Sequence, residues 1–430
     1  MSPDPTRHVL IVGAGPAGLT AAMTLRQRGY NRVTVLESTD SVGGKCHSLH
    51  YRDHVYDLGA NLTTPRYTLI RPLAERLGMT LQDLPERRVV ALGTEQPPSG
   101  ENLNHLQRLF IRAATEVYIA ARSTTGIDRE GFAGLEKGAQ QPFHRWLERH
   151  GLAKFREVFA NLFVAYGYGV MDDLPAAYAL KFFDPIHMHT AVSVIFGDDV
   201  YTTRVFAEGF QELWVRVAKQ WDLDVRTNAE ITSIVRNEDG VTAQWTTPDG
   251  EERASFDVLI LACPLDAALG FLDASTTEQR LFSQIEHYDY YVTATVLEEV
   301  PDVSTFVYPF SMKFTPGWPT VFYPPVPHDP NDVFMFYSYG TQDTTVEQVR
   351  ENLKKTVEKS PFSGQVDEFI TTKHWKYFPH VSVETMQNGF FDDLDAIQGS
   401  NHTWYTGEIV SFTLVELVSR YSKHLVETWF

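Results

Sequence analysis

Residues 13–18 read Gly-Ala-Gly-Pro-Ala-Gly, a G-x-G-x-x-G run. Glycines spaced this way do no chemistry themselves. They let a backbone close around a charged group, and the group such a run holds is a pyrophosphate. Gly13 permits the turn, and Gly15 lets the chain approach the phosphates. Gly18, after Ala17, lets helix and strand pack closely. Glu37 stands 22 residues beyond Gly15, where an acid accepts ribose hydroxyls. Residues 41–48 then read Ser-Val-Gly-Gly-Lys-Cys-His-Ser. Gly43 and Gly44 can turn peptide N–H groups toward phosphates, and Lys45 can offset their charge. Asp57-Leu-Gly59-Ala60-Asn61 follows.

The elements that must position these groups are legible. His8 to Val12 is a short apolar strand leading straight into the glycines. A periodic helix is expected over 19–28, ending at Gly29, and a second strand over 33–36 ends at Glu37. A lone G-x-G-x-x-G is weak evidence. Strand, helix, second strand and terminal acid together make a dinucleotide-binding βαβ unit.

The pair Gly43-Gly44, Lys45 and the later Asp-x-Gly-Ala resemble the flavin amine-oxidase superfamily. There an acid, a short spacer, Gly-Gly and a basic residue wrap the FAD pyrophosphate. Three later stretches carry the same resemblance. Residues 223–234 look like the adenine-side strand, with Glu230 and Ile231 expected beside the adenine. Residues 256–264 look like the buried strand before the second substrate segment. Residues 403–408, Thr-Trp-Tyr-Thr-Gly407-Glu408, look like the strand-Gly-Glu signature, with Glu408 and Ile409 toward the ribityl chain and a helix over 414–429 aimed at the flavin ring. The resemblance implies an α/β fold: a Rossmann-type FAD-binding domain (1–80, 206–268 and 374–430) interleaved with an α+β substrate domain (81–205 and 269–373). No second G-x-G-x-x-G and no Cys-x-x-Cys occurs, so the substrate itself is expected to donate the hydride.

A narrower resemblance, to bacterial polyenoic (linoleic) fatty acid isomerases, rests on Gly-Gly-Lys-Cys-His-Ser, on Phe-Val-Ala-Tyr-Gly-Tyr-Gly at 163–169 with Leu-Pro-Ala-Ala-Tyr-Ala-Leu-Lys at 174–181, and on Trp-Lys-Tyr-Phe-Pro-His-Val-Ser at 375–382. It implies that flavin N5 takes a hydride from an allylic or bis-allylic carbon of an unsaturated acyl or polyene substrate, free or carrier-linked, and returns it at another carbon. No protein nucleophile is needed, so no catalytic side chain is assigned. By the same resemblance Arg88 (Arg87 its rival) binds the carboxylate, Tyr166 and Phe196 flank the substrate, and Phe206 takes the place of a tryptophan at the site edge. An oxygen-using oxidase or desaturase of an amine or polyene, and an FAD-binding protein without turnover, stay open as alternatives.

The chain has 430 residues, 43% of them hydrophobic, enough for more than one core. A net charge of −18 argues against nucleic acid and disfavours docking on anionic lipid. Two cysteines, no 18-residue apolar span and no leader pattern give the expectation of a soluble, cytoplasmic protein. Cys46, beside the expected pyrophosphate, is expected to be a bystander. His187 and His189 could share a strand face as metal ligands, but no carboxylate or cysteine at ligand spacing accompanies them, so they are expected to be loop histidines, and no metal is expected. Lys313 would matter if it held a water over the flavin. Helices are expected over 103–122, 142–150, 155–165 and 175–183, strands over 290–297, 333–339 and 369–376, and a loop-rich stretch over 301–330.

Overall fold

Val9–Val12 (β1) is Val-Leu-Ile-Val with every residue buried. A run apolar on both faces belongs inside a parallel sheet covered on both sides. It pairs parallel with Val258–Leu261 on one flank and with Val33–Leu36 (β2) on the other. The sheet has five strands in the order Thr403–Tyr405, Val258–Leu261, β1, β2, Asp224–Arg226. This computed structural model describes residues 4–83, 88–92, 104–196, 203–298, 305–309, 315–326, 331–359 and 364–430.

The helix Pro16–Gln27 (α1) begins three residues earlier than expected, inside the glycine run. Gly15 is its N-cap and Pro16 its first residue, where the fixed φ suits the helix and the missing N–H has no partner to lose. Residues 17–25 are all buried, because α1 packs against both Phe210–Gln220 and Val415–Trp429.

A second, six-stranded sheet runs in the order Gln365–His380, Glu286–Glu298, Val333–Gly340, Pro319–Tyr323, Thr305–Pro309, Arg88–Leu92. Alternation in Val333–Gly340 sorts its faces. Val333, Met335, Tyr337 and Tyr339 pack with Tyr56 and Leu58, next to the Asp-x-Gly-Ala segment. Phe334 and Phe336 pack instead with Leu353 and Val357 of the helix Val346–Glu358. A separate antiparallel sheet is formed by Glu230–Asn237, Gly240–Thr247 and Gly250–Phe256.

Two expectations are corrected. The 301–330 stretch is not simply loop, since it supplies two strands of the large sheet. Its prolines sit where a strand tolerates them, Pro309 closing one strand and Pro319 opening the next. His187 and His189 lie on the helix Pro185–Phe196, neither in a loop nor on a strand. Two residues apart on a helix they face different ways. His187 sits beside Asp184 and Arg66, while His189 is exposed.

The antiparallel sheet is fastened to the parallel one by a buried charge cluster. Arg236 donates to both oxygens of Glu278 (2.6 and 2.9 Å), to Asp273 (2.7 Å) and to the Thr403 hydroxyl (3.1 Å). The Tyr405 hydroxyl donates to Glu278 at 2.6 Å. Burial pushes the Glu278 carboxyl up, but the Arg236 and Tyr405 hydrogen bonds outweigh it and hold it at about 2. That is below the ordinary carboxylate value of about 4.3, so the stabilisation is complete above about pH 4.3 and is lost as pH falls toward 2. Glu278→Ala leaves Arg236 buried without its main partner and should cost about 3–5 kcal/mol. Thermal melts should also show less acid sensitivity in the variant than in the wild type between about pH 4.3 and pH 2, the window the shift defines.

Candidate functional site

The glycine run plays three distinct structural parts. Gly13 has φ +102° and lies against the Ala262 carbonyl, so it makes the turn. A Cβ on Gly18 would fall 1.9 Å from the Gly13 oxygen, so its bare Cα lets α1 cross β1 closely. Gly15 differs: its φ is an ordinary −76°, and a Cβ there would meet nothing nearer than the Gly44 Cα at 3.8 Å. Packing does not require a glycine at Gly15. The space in front of it is clear, and α1 opens there with no side-chain cap and no acid in its first turn. That leaves backbone N–H groups for an anion.

Glu37 is buried at the end of β2. One carboxylate oxygen accepts from the Ala14 N–H at 2.8 Å, and the other accepts from the Thr39 N–H and hydroxyl, each at 2.9 Å. The oxygen facing Ala14 keeps a lone pair for a further donor, while the other is already taken by two. The Glu37 carbonyl accepts from the Ala229 N–H, which brings the segment carrying Ile231 beside it.

The 43–46 turn closes on itself through Cys46 N–H to the Gly43 carbonyl, and the Asp-x-Gly-Ala segment lies along it. The Ala60 N–H donates to the Lys45 carbonyl, and a Cβ on Gly59 would fall 1.8 Å from that same oxygen. Asp57 accepts from the Phe210 N–H (2.9 Å) and the Ser48 hydroxyl (2.5 Å), so it caps the helix Phe210–Gln220; burial raises its carboxyl to about 7. Cys46 is buried, and burial pushes its thiol up, so it stays a neutral thiol as expected of a bystander.

Lys45 is paired with Glu408, both about three-quarters buried. Its ammonium also lies 5.9 Å from the centre of the Tyr377 ring. Three segments meet there: the Gly-Gly-Lys turn, the one-turn helix Glu408–Ser411 and the strand Gln365–His380. Gly407 has φ +116°, and a Cβ on it would meet only the Ala262 oxygen, at 3.9 Å. Asn61 donates to the hydroxyls of Tyr323 and Tyr337 (the latter at 2.7 Å), and Trp375 donates to the Leu58 carbonyl at 2.8 Å.

From Tyr377 an aromatic wall extends. Tyr377 stacks on Tyr290 at 5.0 Å and on Tyr168 at 6.0 Å, and Tyr168 meets Phe412 at 4.9 Å. The Gly-Tyr-Gly turn exists for this packing. A Cβ on Gly167 would lie 2.7 Å from Tyr377, and one on Gly169 would lie 2.3 Å from the Tyr288 hydroxyl. Phe378 and Phe412 are both buried with positive φ, +50° and +97°, and their rings meet at 5.7 Å. Bulky residues held there cost about 1–3 kcal/mol each and cluster at functional sites. Burial raises the Tyr168 and Tyr339 hydroxyls and lowers His380 to about 4, so these groups are uncharged at neutral pH.

Of the residues expected to meet substrate, Tyr166 lies at the rim of this wall. It is 42% exposed, with its ring 5.1 Å from Phe182. Phe206 is buried, edge-on to Phe210 at 4.9 Å, in a strand paired with Leu81–Asp83. Arg88 opens the outer strand of the large sheet beside Thr305, and Phe196 closes the helix Pro185–Phe196. The side chains of both, and all of Arg87 and Lys313, lie outside the described residues. Sequence reasoning misses Glu416, a buried acid that accepts from the N–H groups of Leu69 and Ile70 and so caps Ile70–Arg76. It also misses the role of Tyr323 and Tyr337, for which the period-2 tyrosines of Val333–Gly340 are an available signal.

Residues 16–380 match the family described as flavin containing amine oxidoreductase. The chain belongs to that family. Its cofactor is FAD, and it is an FAD-dependent enzyme of the isomerase/oxidoreductase class. It is 22% identical over 287 residues to a polyenoic fatty acid isomerase of Ptilota filicina, a match covering 60% of this chain and 57% of that protein. A solved CLA-producing fatty acid isomerase from P. acnes superposes with TM-score 0.88 and 32% identity over 100% of both chains. A putrescine oxidase bound to putrescine shares the fold, with TM-score 0.74 at 16% identity over 98% of each chain. The donor set fits FAD: a cradle free of side chains at Gly15, a buried acid with spare acceptor capacity, and a cation at the glycine pair.

The glycine geometry separates binding from folding. Gly15→Val should leave a folded protein, by circular dichroism and melting temperature, that purifies without the yellow flavin absorbance. Gly18→Ala must displace backbone and should lower the melting temperature sharply.

Proposed function

We propose that this chain isomerises double bonds in an unsaturated fatty acid, acyl or polyene substrate. The observation that carries this reading is the end-to-end likeness to the CLA-producing fatty acid isomerase, 32% identical over the whole of both chains. The aromatic wall supports it.

In this reading Gly13, Gly15, Ala17 and Gly18 take the pyrophosphate on one side, and Gly43, Gly44 and Lys45 face it from the other. Glu37 holds the ribose and Ile231 borders the adenine. Gly59, Ala60, Asn61, Gly407 and Glu408 hold the flavin half. Bound there, FAD supplies reversible hydride exchange with the substrate's allylic carbon. The protein's own share is position, dryness and charge. Tyr377, Tyr168 and their neighbours offer π-faces that stabilise positive charge building on the acyl chain. The Tyr168 and Tyr339 hydroxyls stay protonated, so these rings offer no phenolate to strip a proton from that charged chain. The buried thiol of Cys46 is equally inert. Arg88 binds the carboxylate, Tyr166 and Phe196 flank the chain, and Phe206 lies at the edge. We further assign the FAD domain to 1–80, 206–268 and 374–430 and the substrate domain to 81–205 and 269–373.

Purified yellow protein given a panel of free and carrier-linked polyenes should return products of unchanged mass with conjugated-diene ultraviolet absorbance. Products lighter by two hydrogens would replace this reading with a desaturase. Arg88→Ala should raise KM for a free acid by about tenfold or more, the scale of one charge-assisted contact, with flavin content unchanged. Equal wild-type activity on acid and methyl ester would remove the carboxylate role.

A further inference from the structure

Gln211, at the start of the helix Phe210–Gln220, spends its whole side chain on the Gly43-Gly44-Lys45 turn. Its amide N–H donates to the Val42 carbonyl at 2.8 Å, just before the turn. Its amide oxygen accepts from the Ser48 N–H at 3.0 Å, just after it. One side chain therefore spans the two ends of residues 43–47. The end of the helix is itself held against the same segment. The Phe210 N–H donates to Asp57 at 2.9 Å, and the Gln211 N–H donates to the Ser48 hydroxyl at 3.2 Å. Gly209 permits that approach: its φ is +82°, and a Cβ on it would fall 2.5 Å from the Ser48 hydroxyl oxygen. A Cβ on Gly43 would lie 3.2 Å from the Gln211 Cγ, so the aliphatic stem backs the turn while the amide ties its ends.

Between those ends the turn keeps donors in reserve. Gly43 and Gly44 both have positive φ, +113° and +54°. The Gly43 N–H donates to the Ala14 carbonyl and the Cys46 N–H to the Gly43 carbonyl, each at 2.9 Å. Neither the Gly44 N–H nor the Lys45 N–H has a partner among the described residues. Gly44 is exposed, and a Cβ on it would fall 3.1 Å from the Gly15 Cα, so the turn meets the first glycine run at this point. Successive N–H groups in such a turn make a concave anion site. They do so only while the turn keeps its shape, and adjacent glycines have the widest choice of other shapes. The Ala60 and Leu58 N–H groups tie the Lys45 and His47 carbonyls, and Gln211 ties the two outer ends.

We propose that Gln211 is a positioning residue for the cofactor: it braces the Gly43-Gly44-Lys45 turn from behind, in the shape whose spare N–H groups take the FAD pyrophosphate. This rests on the pyrophosphate lying at that turn, as assigned under the proposed function. Without the brace the turn samples other conformations, and the apparent Kd for FAD rises as the competent fraction falls. The effect is read in binding, without turnover, so it stands or falls separately from the isomerase reading.

The test is release of flavin from the holoprotein on dilution, followed by flavin fluorescence, with ADP added as a competitor that carries the pyrophosphate without the flavin. Gln211→Met removes both side-chain hydrogen bonds at nearly constant volume. It should raise the Kd for FAD about tenfold, and the inhibition constant of ADP by the same factor. Its far-ultraviolet circular dichroism should match the wild type. Gln211→Asn, one methylene short of spanning both ends, should also raise both constants, and it carries the test if the methionine variant folds poorly. A folded Gln211 variant that holds FAD as tightly as wild type overturns the proposal. So does one that loses FAD but binds ADP unchanged, since the brace would then act on the flavin half. Lys45→Met should weaken ADP as well. If it does not, the pyrophosphate lies elsewhere, and its assignment to this turn falls together with the brace.

Discussion

Close approach of bare backbone sets the geometry of this molecule. A Cβ on Gly18 or Gly59 would fall 1.9 or 1.8 Å from a carbonyl oxygen; one on Gly167 or Gly169 would fall 2.7 or 2.3 Å from a tyrosine. The first two build the cradle, pressing α1 onto β1 and the Asp-x-Gly-Ala segment onto Lys45. The second two build the wall, letting Tyr377 and Tyr288 reach the turn that carries Tyr166. Gly15 completes the set in the opposite sense, since its space is left clear.

Onto that frame the chain adds little charge. Lys45 and Glu408, 363 residues apart, pair across the junction of the two ends of the chain. Such a largely buried pair adds little net stability, but it fixes where the two ends meet and what lies over Tyr377. Around it the groups are neutral: a protonated thiol, protonated tyrosines and an uncharged His380. An active site of this kind contributes placement and environment and leaves bond-making to its cofactor.

The βαβ unit is legible in the sequence because its apolar runs, its glycines and Glu37 obey local rules that tertiary packing does not override. The large sheet is legible in part. Alternating aromatics mark Val333–Gly340, but the strands Thr305–Pro309 and Pro319–Tyr323 are hidden by prolines that sit harmlessly at their ends. The histidines at 187 and 189 read as loop residues, with a strand face as the alternative, because an apolar run gives no period to mark the helix. The positive φ of Phe378 and Phe412 leaves no local trace, since nothing in a phenylalanine announces a conformation that only its surroundings impose. The same holds for Glu416, whose partners at Leu69 and Ile70 lie about 346 residues away.

Placement without net oxidation is the central claim, and strict anaerobiosis tests it most directly. With excess polyunsaturated acid and no oxygen, the account predicts many turnovers per bound flavin and a visible spectrum that returns to the oxidised form. A single turnover that bleaches the flavin and stalls until oxygen is admitted would contradict it.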